Sequence, residues 1–452
     1  MTGLETLASW LAGLRPTDVP DRLHRLARLR ILDTLGLIAV GAAHTAGRST
    51  AQWSTTEPRF AGGATNLATG ETCAAATAAL VHATLAHARD FDDTFADSVV
   101  HPGSTVIPTA LAIAQAHDLP FEQIITAITA GYEIAARLGR AAGRGFHARG
   151  FHATSVVGPI AAAATAGRLI GLDAERLADA MALATSMSSG TMAFLADGGW
   201  SKWLHTGWSA HGGIVAAGLA ANGFRGPRHA LEHSQGLYGA FLGHVPDSAP
   251  ITHDLGRDWA GETAQFKLYP CAHVIHPYIE AALEFRGRSG LAPDQLRNLT
   301  GTIPPWATPI VAEPRAAKIT PRNDLEAIAS LPFMVAAALC DGHVSLATLG
   351  ADRLARRDIL DLAARIDCRA DAALAVGFDG RIEIVLADGD HRQLAATLPD
   401  AASDRVRAKF HSNAALGCMT HASEIETALL DGTIGVRELM ARAMRAPTSP
   451  PR

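Results

Sequence analysis

The sequence of 452 residues has few cysteines and no clustered charge of either sign. Its five cysteines are widely spaced and include no CxxC pair, which argues against a disulfide framework or a cysteine-rich zinc site. Net charge is −5, and lysine and arginine form no run of the kind that binds nucleic acid or an anionic membrane. We therefore expect neither nucleic acid nor a membrane as a partner.

Long apolar runs are scarce as well. The most apolar stretch, from Val156 to Leu172, contains Pro159 and Arg168 and is too short to span a bilayer. The first residues lack the apolar segment and small-residue cleavage site of a signal peptide, so we expect them to form a helix. Together with the reduced set of cysteines, this pattern favours a cytoplasmic protein.

Motifs for nucleotide cofactors and for a serine nucleophile are missing from the sequence. It contains no GxxxxGK[ST], no GxGxxG after a strand and no GxSxG. Asp92, Asp93 and Asp97 resemble the aspartate-rich motif of magnesium-dependent terpene synthases. However, a second metal motif is missing, and aromatic residues make up only 6% of the chain. A terpene synthase is therefore a distant alternative, and the sequence motifs do not support a nucleotide cofactor.

What the sequence does contain is apolar periodicity typical of helices. It recurs over residues 23–38, 74–88, 104–117, 121–140, 153–170, 174–187 and 208–222. After about residue 265 short β-like runs appear, and one of them, 381–387, alternates and ends at the hairpin signal Asp388-Gly389. We predict a mainly α protein with a large all-helical domain, residues 1–265 and 400–452, and a smaller α+β lid domain, residues 266–399.

Lysine is rare in this chain. Of 39 basic residues only four are lysines, namely Lys202, Lys267, Lys318 and Lys409. Because arginine is so strongly preferred, a retained lysine can mark a position that needs a compact ammonium group. Drift on an exposed surface is the alternative interpretation.

Two segments combine histidine with the start of a helix. In the first, Thr94 and the acidic residues between Asp90 and Asp97 precede His101. The backbone N–H groups at the start of the next helix can bind an anion, and the neighbouring carboxylates can fix the tautomer of the histidine. In the second, His152 precedes an alanine-rich helix that Thr154 or Ser155 could cap, and it is a candidate acid–base group. A solvated acidic loop and a structural histidine are the alternative interpretations.

Two further segments carry the rare lysines. Lys202 lies beside Trp200 and Trp203, which would lower the local dielectric and strengthen a contact with a carboxylate. Lys267 lies near His273 and His276 at the predicted domain boundary, where ligand sites are common. The two histidines have the spacing of a metal pair, but no nearby carboxylate completes a site.

Four ordered segments resemble the MmgE/PrpD family: DFDDTFADSVVHPGS (90–104), GFHATS (150–155), SGTMAFLADGGWSKWLHTGWSAHGG (189–213) and KLYPCAHVIHPYIEAAL (267–283). The family includes 2-methylcitrate dehydratase, cis-aconitate decarboxylase and iminodisuccinate epimerase. The resemblance implies a helical domain built from both chain ends, a smaller α+β lid, a homodimer and no metal or organic cofactor.

The resemblance places Asp90, Thr94, His101 and His152 at motif positions of the family, and it implies that Lys202 and Lys267 meet the substrate carboxylates. Our hypothesis is that His101 and His152 are the acid and the base, with Asp90 orienting one of them. We also expect Thr94, Arg89 and His273 to contact the substrate. These assignments predict a lyase that removes a proton next to a carboxylate of a small di- or tricarboxylate.

Two departures from the decarboxylases bear on the reaction. Phe333 stands where the decarboxylases have tyrosine, and Cys271-Ala-His273 stands where they have Ala-His, so a histidine is displaced or missing there. We therefore predict a hydro-lyase similar to 2-methylcitrate dehydratase. A decarboxylase, an epimerase and a non-catalytic binding module remain alternatives.

Overall fold

The computed structural model describes residues 1–56, 63–374 and 377–444. The first part of the chain is helical, as the apolar periodicity predicts. Its helices are α1 (Gly3–Gly13), α2 (Asp21–Ala43), α3 (Thr45–Ser54), α4 (Ala75–His87), α5 (Gly103–His117), α6 (Phe121–Ala142), α7 (Gly145–Ala148), α8 (Ala153–Leu169), α9 (Ala174–Thr185), α10 (Ser201–Ala221), α11 (Leu237–Leu242), α12 (Ala249–Thr252) and α13 (His276–Ser289). Two short antiparallel strands, β1 (Ala64–Thr65) and β2 (Thr72–Cys73), lie between α3 and α4.

Small residues let the central helices approach closely. Helix α10 packs against both α8 and α4. A Cβ atom at Gly213 would lie 2.4 Å from the side chain of Ala162, and one at Gly207 would lie 2.1 Å from Thr84 Oγ1. Larger side chains would therefore push these helices apart. This packing holds the ends of α4, α8 and α10, which carry the site residues, close together.

The smaller part of the fold is built on a four-stranded sheet. Its strands are β3 (Leu296–Ile303), β4 (Ile366–Ala370), β5 (Gly380–Leu386) and β6 (His391–Ala396), in the order β4-β3-β5-β6. Strands β3 and β4 are parallel, whereas β3–β5 and β5–β6 are antiparallel. The β5–β6 hairpin turns at the predicted position, where Gly389 has a φ of 90° that favours glycine.

The connection from β3 to β4 contains six helices. They are α14 (Thr308–Val311), α15 (Arg315–Ile319), α16 (Asp324–Ile328), α17 (Leu331–Asp341), α18 (Ala351–Leu354) and α19 (Arg357–Ala363). The predicted fold class, mainly α with a smaller α+β part, is confirmed.

The C-terminal helices return to the first part of the chain. They are α20 (Ser403–Leu416), α21 (Ala422–Asp431) and α22 (Val436–Arg442), and α20 packs along α2. Lys409 Nζ lies 2.8 Å from Asp33 Oδ1 and 2.7 Å from the carbonyl oxygen of Phe91. The domain limits at residues 265 and 400 stay a prediction, and residues 445–452 lie outside the described part of the chain.

Within the described ranges, no helix combines the length and the apolar character that crossing a bilayer requires.

Candidate active site

One pocket brings together most of the residues selected from the sequence. The helical part contributes Asp90, Thr94, His101, His152 and Lys202, and the following segment contributes Lys267 and His273. Residues from four separate segments therefore converge on one cavity. Its volume is about 80 Å³, room for about five to eight water molecules at 10–15 Å³ each, which favours a small ligand.

Asp90 lies between the two lysines of the pocket, Lys202 and Lys267. It follows the end of α4 with a φ of 48°, a left-handed conformation that aspartate tolerates better than most residues. Its Oδ1 lies 2.7 Å from Lys202 Nζ and 2.8 Å from Lys267 Nζ. Burial tends to raise the pKa of Asp90, but the two ammonium groups outweigh burial and hold this pKa well below its ordinary value.

The two ammonium groups retain N–H donors for a ligand. Each ammonium has three donors. Lys267 directs two of them to the carbonyl oxygen and Oδ1 of Asp90, and Lys202 directs one to Oδ1. Burial lowers the pKa of Lys202 from its ordinary value, while Asp90 opposes this change. Asp90 thus fixes both cations and leaves their remaining donors for an anion.

His101 is held in one orientation by the backbone and by Thr94. Its Nδ1 lies 2.9 Å from the carbonyl oxygen of Asp93 and 3.0 Å from Thr94 Oγ1. Because a carbonyl oxygen only accepts, Nδ1 carries the proton, and Nε2 of the neutral ring is unprotonated. Burial, more than any other influence, lowers the pKa of His101 to about 3.

His152 faces a second histidine. Its Nδ1 lies 3.1 Å from Nδ1 of His205, and, among the described residues, its buried Nε2 has no hydrogen-bond partner. Burial lowers the pKa of His152 well below its ordinary value, and His205 lowers it further. The predicted cap of α8 by Thr154 or Ser155 is wrong. His152 itself stands at the N-cap, and Thr154 Oγ1 instead accepts from the backbone N–H of His101.

Sequence analysis missed further histidines of this site. The ring of His87 stacks on that of His152 with centroids 5.6 Å apart, and Asp92 Oδ2 lies 2.8 Å from His87 Nδ1. His147 lines the pocket, and His205 lies behind His152. All of these lie within or beside the segments quoted above, but the sequence does not show which histidines point the same way.

Much of the remaining pocket lining is apolar. It includes side chains of the connection between β3 and β4 and one residue shortly before β5: Trp306, Ile310, Leu325, Ile328 and Phe378. A bound acid would therefore meet two cations and a poorly solvating apolar surface in the same pocket.

Comparison with known proteins agrees with the motifs. The model of the MmgE/PrpD N-terminal domain matches residues 5–248, and that of the MmgE/PrpD C-terminal domain matches residues 269–431. The chain belongs to the MmgE/PrpD family.

Several cis-aconitate decarboxylases are related to this family member. The protein from Aspergillus terreus is 27% identical over 297 residues, 62% of this chain and 60% of the relative's length. The protein from Homo sapiens is 27% identical over 379 residues, 80% of this chain and 76% of the relative. The protein from Mus musculus is 25% identical over 402 residues, which are 85% of this chain and 80% of the relative. Family and relatives together support enzyme status for this chain.

The geometry bears on three expectations about individual residues. Asp90 contacts lysines instead of orienting a histidine, a position that Asp92 takes toward His87. His273 lies in the pocket despite the extra residue before it. Phe333 is fully buried on α17 and, within the described part of the chain, does not contribute to the pocket lining.

Arg89 occupies a different place from the other predicted ligands. Its Nη1 lies 3.3 Å from Asp324 Oδ2, and His44 Nε2 lies 3.0 Å from the same oxygen. Arg89 thereby links the end of α4 to the start of α16. Arg89 is not among the described residues that line the pocket. Its contact with substrate therefore stays a prediction, which this geometry does not support.

The acidic segment is poorly suited to a divalent cation. Ligand atoms of His87, Asp90 and Asp92 lie within 4.8 Å of one another, but Asp90 Oδ1 already contacts two ammonium groups. The three aspartates of the terpene-synthase-like motif have separate partners, since Asp93 accepts from Tyr132 and Asp97 pairs with Arg140. That arrangement does not form a shared metal site.

The rare lysines share one property in the structure. Lys267, Lys318 and Lys409 are buried, and the side chain of Lys202 is only 12% exposed. Lys318 donates to the carbonyl oxygens of Ile310 and Ala329. Drift on an exposed surface therefore does not explain these lysines.

Proposed function

We propose that this protein is a lyase that acts on a small tri- or dicarboxylate by proton transfer next to a carboxylate. The observation that carries the proposal is the shared contact of Lys202 and Lys267 with one oxygen of Asp90, in the same pocket as His101 and His152. Two fixed cations beside two imidazoles suit an anion whose negative charge moves during reaction.

Substrate binding would change the protonation of the histidines. In the empty pocket, burial and the nearby lysines keep His101 and His152 neutral. A bound di- or trianion offsets the lysine charges, which raises the pKa of both imidazoles. Nε2 of His101 is the base in this assignment because Nδ1 is bonded to the Asp93 carbonyl. His152, whose Nε2 is free of partners in the described structure, is the proton donor.

Decarboxylation is the outcome that the apolar lining favours. With two carboxylates on Lys202 and Lys267, a third would lie against Ile328 and Phe378, where a charged group is poorly solvated and neutral CO₂ is not. The electrons of the broken C–C bond form a new double bond, the electrons of the former double bond shift to its far carbon, and His152 protonates that carbon. The relatives named cis-aconitate decarboxylase support this reading.

Dehydration of a 2-methylcitrate-like acid is the second candidate. The observation in its favour is the presence in one pocket of an unprotonated Nε2 on His101 and a partner-free Nε2 on His152 among the described residues, which supply the base and the acid that dehydration needs. In this reaction His101 removes a proton next to a carboxylate, and His152 protonates the departing β-hydroxyl. Each positioned transfer contributes roughly 10²–10⁴-fold to the rate.

A substrate screen tests the proposal. The protein is incubated with cis-aconitate, citrate, 2-methylcitrate and iminodisuccinate in ²H₂O, and products are followed by NMR. Release of CO₂ with one deuteron incorporated indicates decarboxylation, whereas new alkene carbon signals and loss of the hydroxyl-bearing carbon signal without CO₂ indicate dehydration. Failure to convert or deuterate any of these acids would count against the lyase proposal.

Two variants test the assignment of the acid–base groups. We expect His101→Ala and His152→Ala each to abolish turnover while the far-UV circular dichroism spectrum stays that of the wild type. The assignment is refuted by an unchanged kcat in both variants.

A further inference from the structure

A second cavity adjoins the candidate active site. Its volume is about 340 Å³, against about 80 Å³ for the pocket that holds the two lysines. The two cavities are adjacent, because the following residues line both of them: Val99, His147, Met192, Leu195, Trp306 and Ile310. We call this second space the outer cavity.

The outer cavity is lined mostly by apolar side chains. Besides the shared residues, it is lined by Arg144, Ala148 and Pro309. The Arg144 guanidinium is partly engaged. Its carbon lies 3.5 Å from the centre of the Trp306 ring and Nη2 donates to the carbonyl oxygen of Ala96 at 2.8 Å, while the buried Nη1 has no hydrogen-bond partner among the described residues. The cation therefore holds Trp306 in place, and the rest of the described lining is uncharged.

Two lining residues suit an apolar ligand group. Leu195 is 43% exposed, so its side chain leaves apolar surface in contact with water. Met192 lies beside it and has the flexible thioether that adapts to ligands of different shape. Covering such a surface with a hydrocarbon is favourable, whereas a compact polycarboxylate held at Lys202 and Lys267 would leave it uncovered.

We propose that the substrate of this site carries an apolar substituent, an alkyl chain of several carbons, which occupies the outer cavity while its carboxylates meet the two lysines. This inference rests on the proposed function, because that function places the carboxylates at Lys202 and Lys267. The substrate class is then an alkyl-substituted tri- or dicarboxylate.

A homologous series of acids tests the inference. The Kd of the wild-type protein is measured by calorimetry for citrate, 2-methylcitrate, 2-butylcitrate and 2-hexylcitrate, and kcat/KM is measured for these acids and for the matching 2-alkyl-cis-aconitates. We expect affinity and kcat/KM to rise about two- to fourfold per methylene group until the chain fills the outer cavity. Values that stay flat or fall with chain length overturn the inference.

A variant that fills the outer cavity gives a second test. Ala148 is exposed on α7 and lines only the outer of the two cavities, so Ala148→Phe narrows that cavity. We expect the ratio of kcat/KM, or of affinity, between the hexyl and methyl compounds to fall at least tenfold. Ala408→Phe, at an exposed position on α20, is the matched control and should leave this ratio unchanged.

The outcomes separate this inference from the proposed function. Turnover of the unsubstituted acids without any gain from an alkyl chain overturns the inference and leaves the lyase. Affinity that rises with chain length without turnover of any acid supports the outer cavity and overturns the lyase. No binding of any acid overturns both.

Discussion

His152 and His205 face each other through the same nitrogen, with the two Nδ1 atoms 3.1 Å apart. Such a contact needs one donor and one acceptor, so the proton on one ring determines the tautomer of the other. Burial is the main cause that lowers the pKa of His205 to about 4, so this partner is neutral near pH 7. His205 is therefore in a position to set which nitrogen of His152 carries the proton toward the pocket.

We predict that His205 acts as a positioning residue for His152. His205→Ala should lower kcat by less than the roughly 10²–10⁴-fold that a positioned acid–base group contributes, with little change in KM. His205→Asn, whose amide can replace Nδ1, should restore part of kcat. Steady-state kinetics and the pH profile of kcat check this, and equal kcat in the Ala and Asn variants would contradict it.

We predict that Asp90→Asn destabilises the fold. The change removes the carboxylate that both buried ammonium groups, Lys202 and Lys267, contact directly, a loss of about 3–5 kcal/mol in the free energy of unfolding. Because the folded pKa of Asp90 is depressed, its stabilisation is present above the unfolded pKa and is lost only as pH falls through the lower folded value. The wild type and the variant should therefore differ most at neutral pH.

Asp97→Asn is the matched control for Asp90→Asn. Asp97 pairs with Arg140 at the surface, where both side chains are more than one third exposed, so the loss should be about 0–1 kcal/mol. Urea unfolding at pH 7 measures both variants. Equal destabilisation by the two substitutions would show that the shared contact at Asp90 contributes little.

We predict that stability falls as pH drops below about 6.5. Burial, as the largest cause, lowers the pKa to about 4 for His82, His147 and His205 and to about 3 for His101. Below the unfolded value of about 6.5 the unfolded chain binds more protons than the folded one, so acid favours unfolding. Thermal unfolding between pH 7.5 and pH 4.5 should show a steadily falling Tm.

His82 allows one contribution to be isolated away from the pocket. It accepts from the backbone N–H of Leu67, a bond that the amide of glutamine can retain. His82→Gln should reduce the slope of unfolding free energy against pH by roughly 1.4 kcal/mol per pH unit between about pH 6 and 5. His229→Gln, at an exposed position, should leave the slope unchanged.

The homodimer stays a prediction, and α10 offers a surface for it. Leu204, Trp208, Val215 and Leu219 are each at least 37% exposed and share one face of this helix. These positions carry no charge, so a second copy can pair with the same face across a two-fold axis without bringing like charges together. We expect light scattering to show twice the chain mass, and Leu204→Glu to shift it to the monomer. Leu416→Glu, at another exposed leucine, should remain dimeric.

The sequence predicted those features that depend on local pattern. Helical periodicity located α4, α5, α6, α8 and α9 to within a few residues, and the Asp388-Gly389 turn located the β5–β6 hairpin. The scarcity of lysine also pointed to Lys202 and Lys267 without knowledge of their contacts. Both kinds of signal are carried by residues close in the chain or by composition, which a single sequence contains.

Features that depend on side-chain direction were not predicted. The contact of Asp90 with two lysines follows from its left-handed backbone, and the participation of His147 and His205 follows from how α7 and α10 are packed. The position of Phe333, turned into the core, could not be read from alignment with a family tyrosine. Each depends on tertiary packing, which brings together residues far apart in sequence.

Lys409 on α20 binds the backbone of the acidic segment that contains Asp90 and Asp92. Its ammonium reaches the carbonyl oxygen of Phe91, which lies between the two aspartates that contact the lysines and His87. During synthesis this bond can form only after α20 has left the ribosome. A nascent chain released before α20 would carry every residue assigned to catalysis yet lack the cation that fixes their loop, so activity should appear only after α20 has been synthesised and packed.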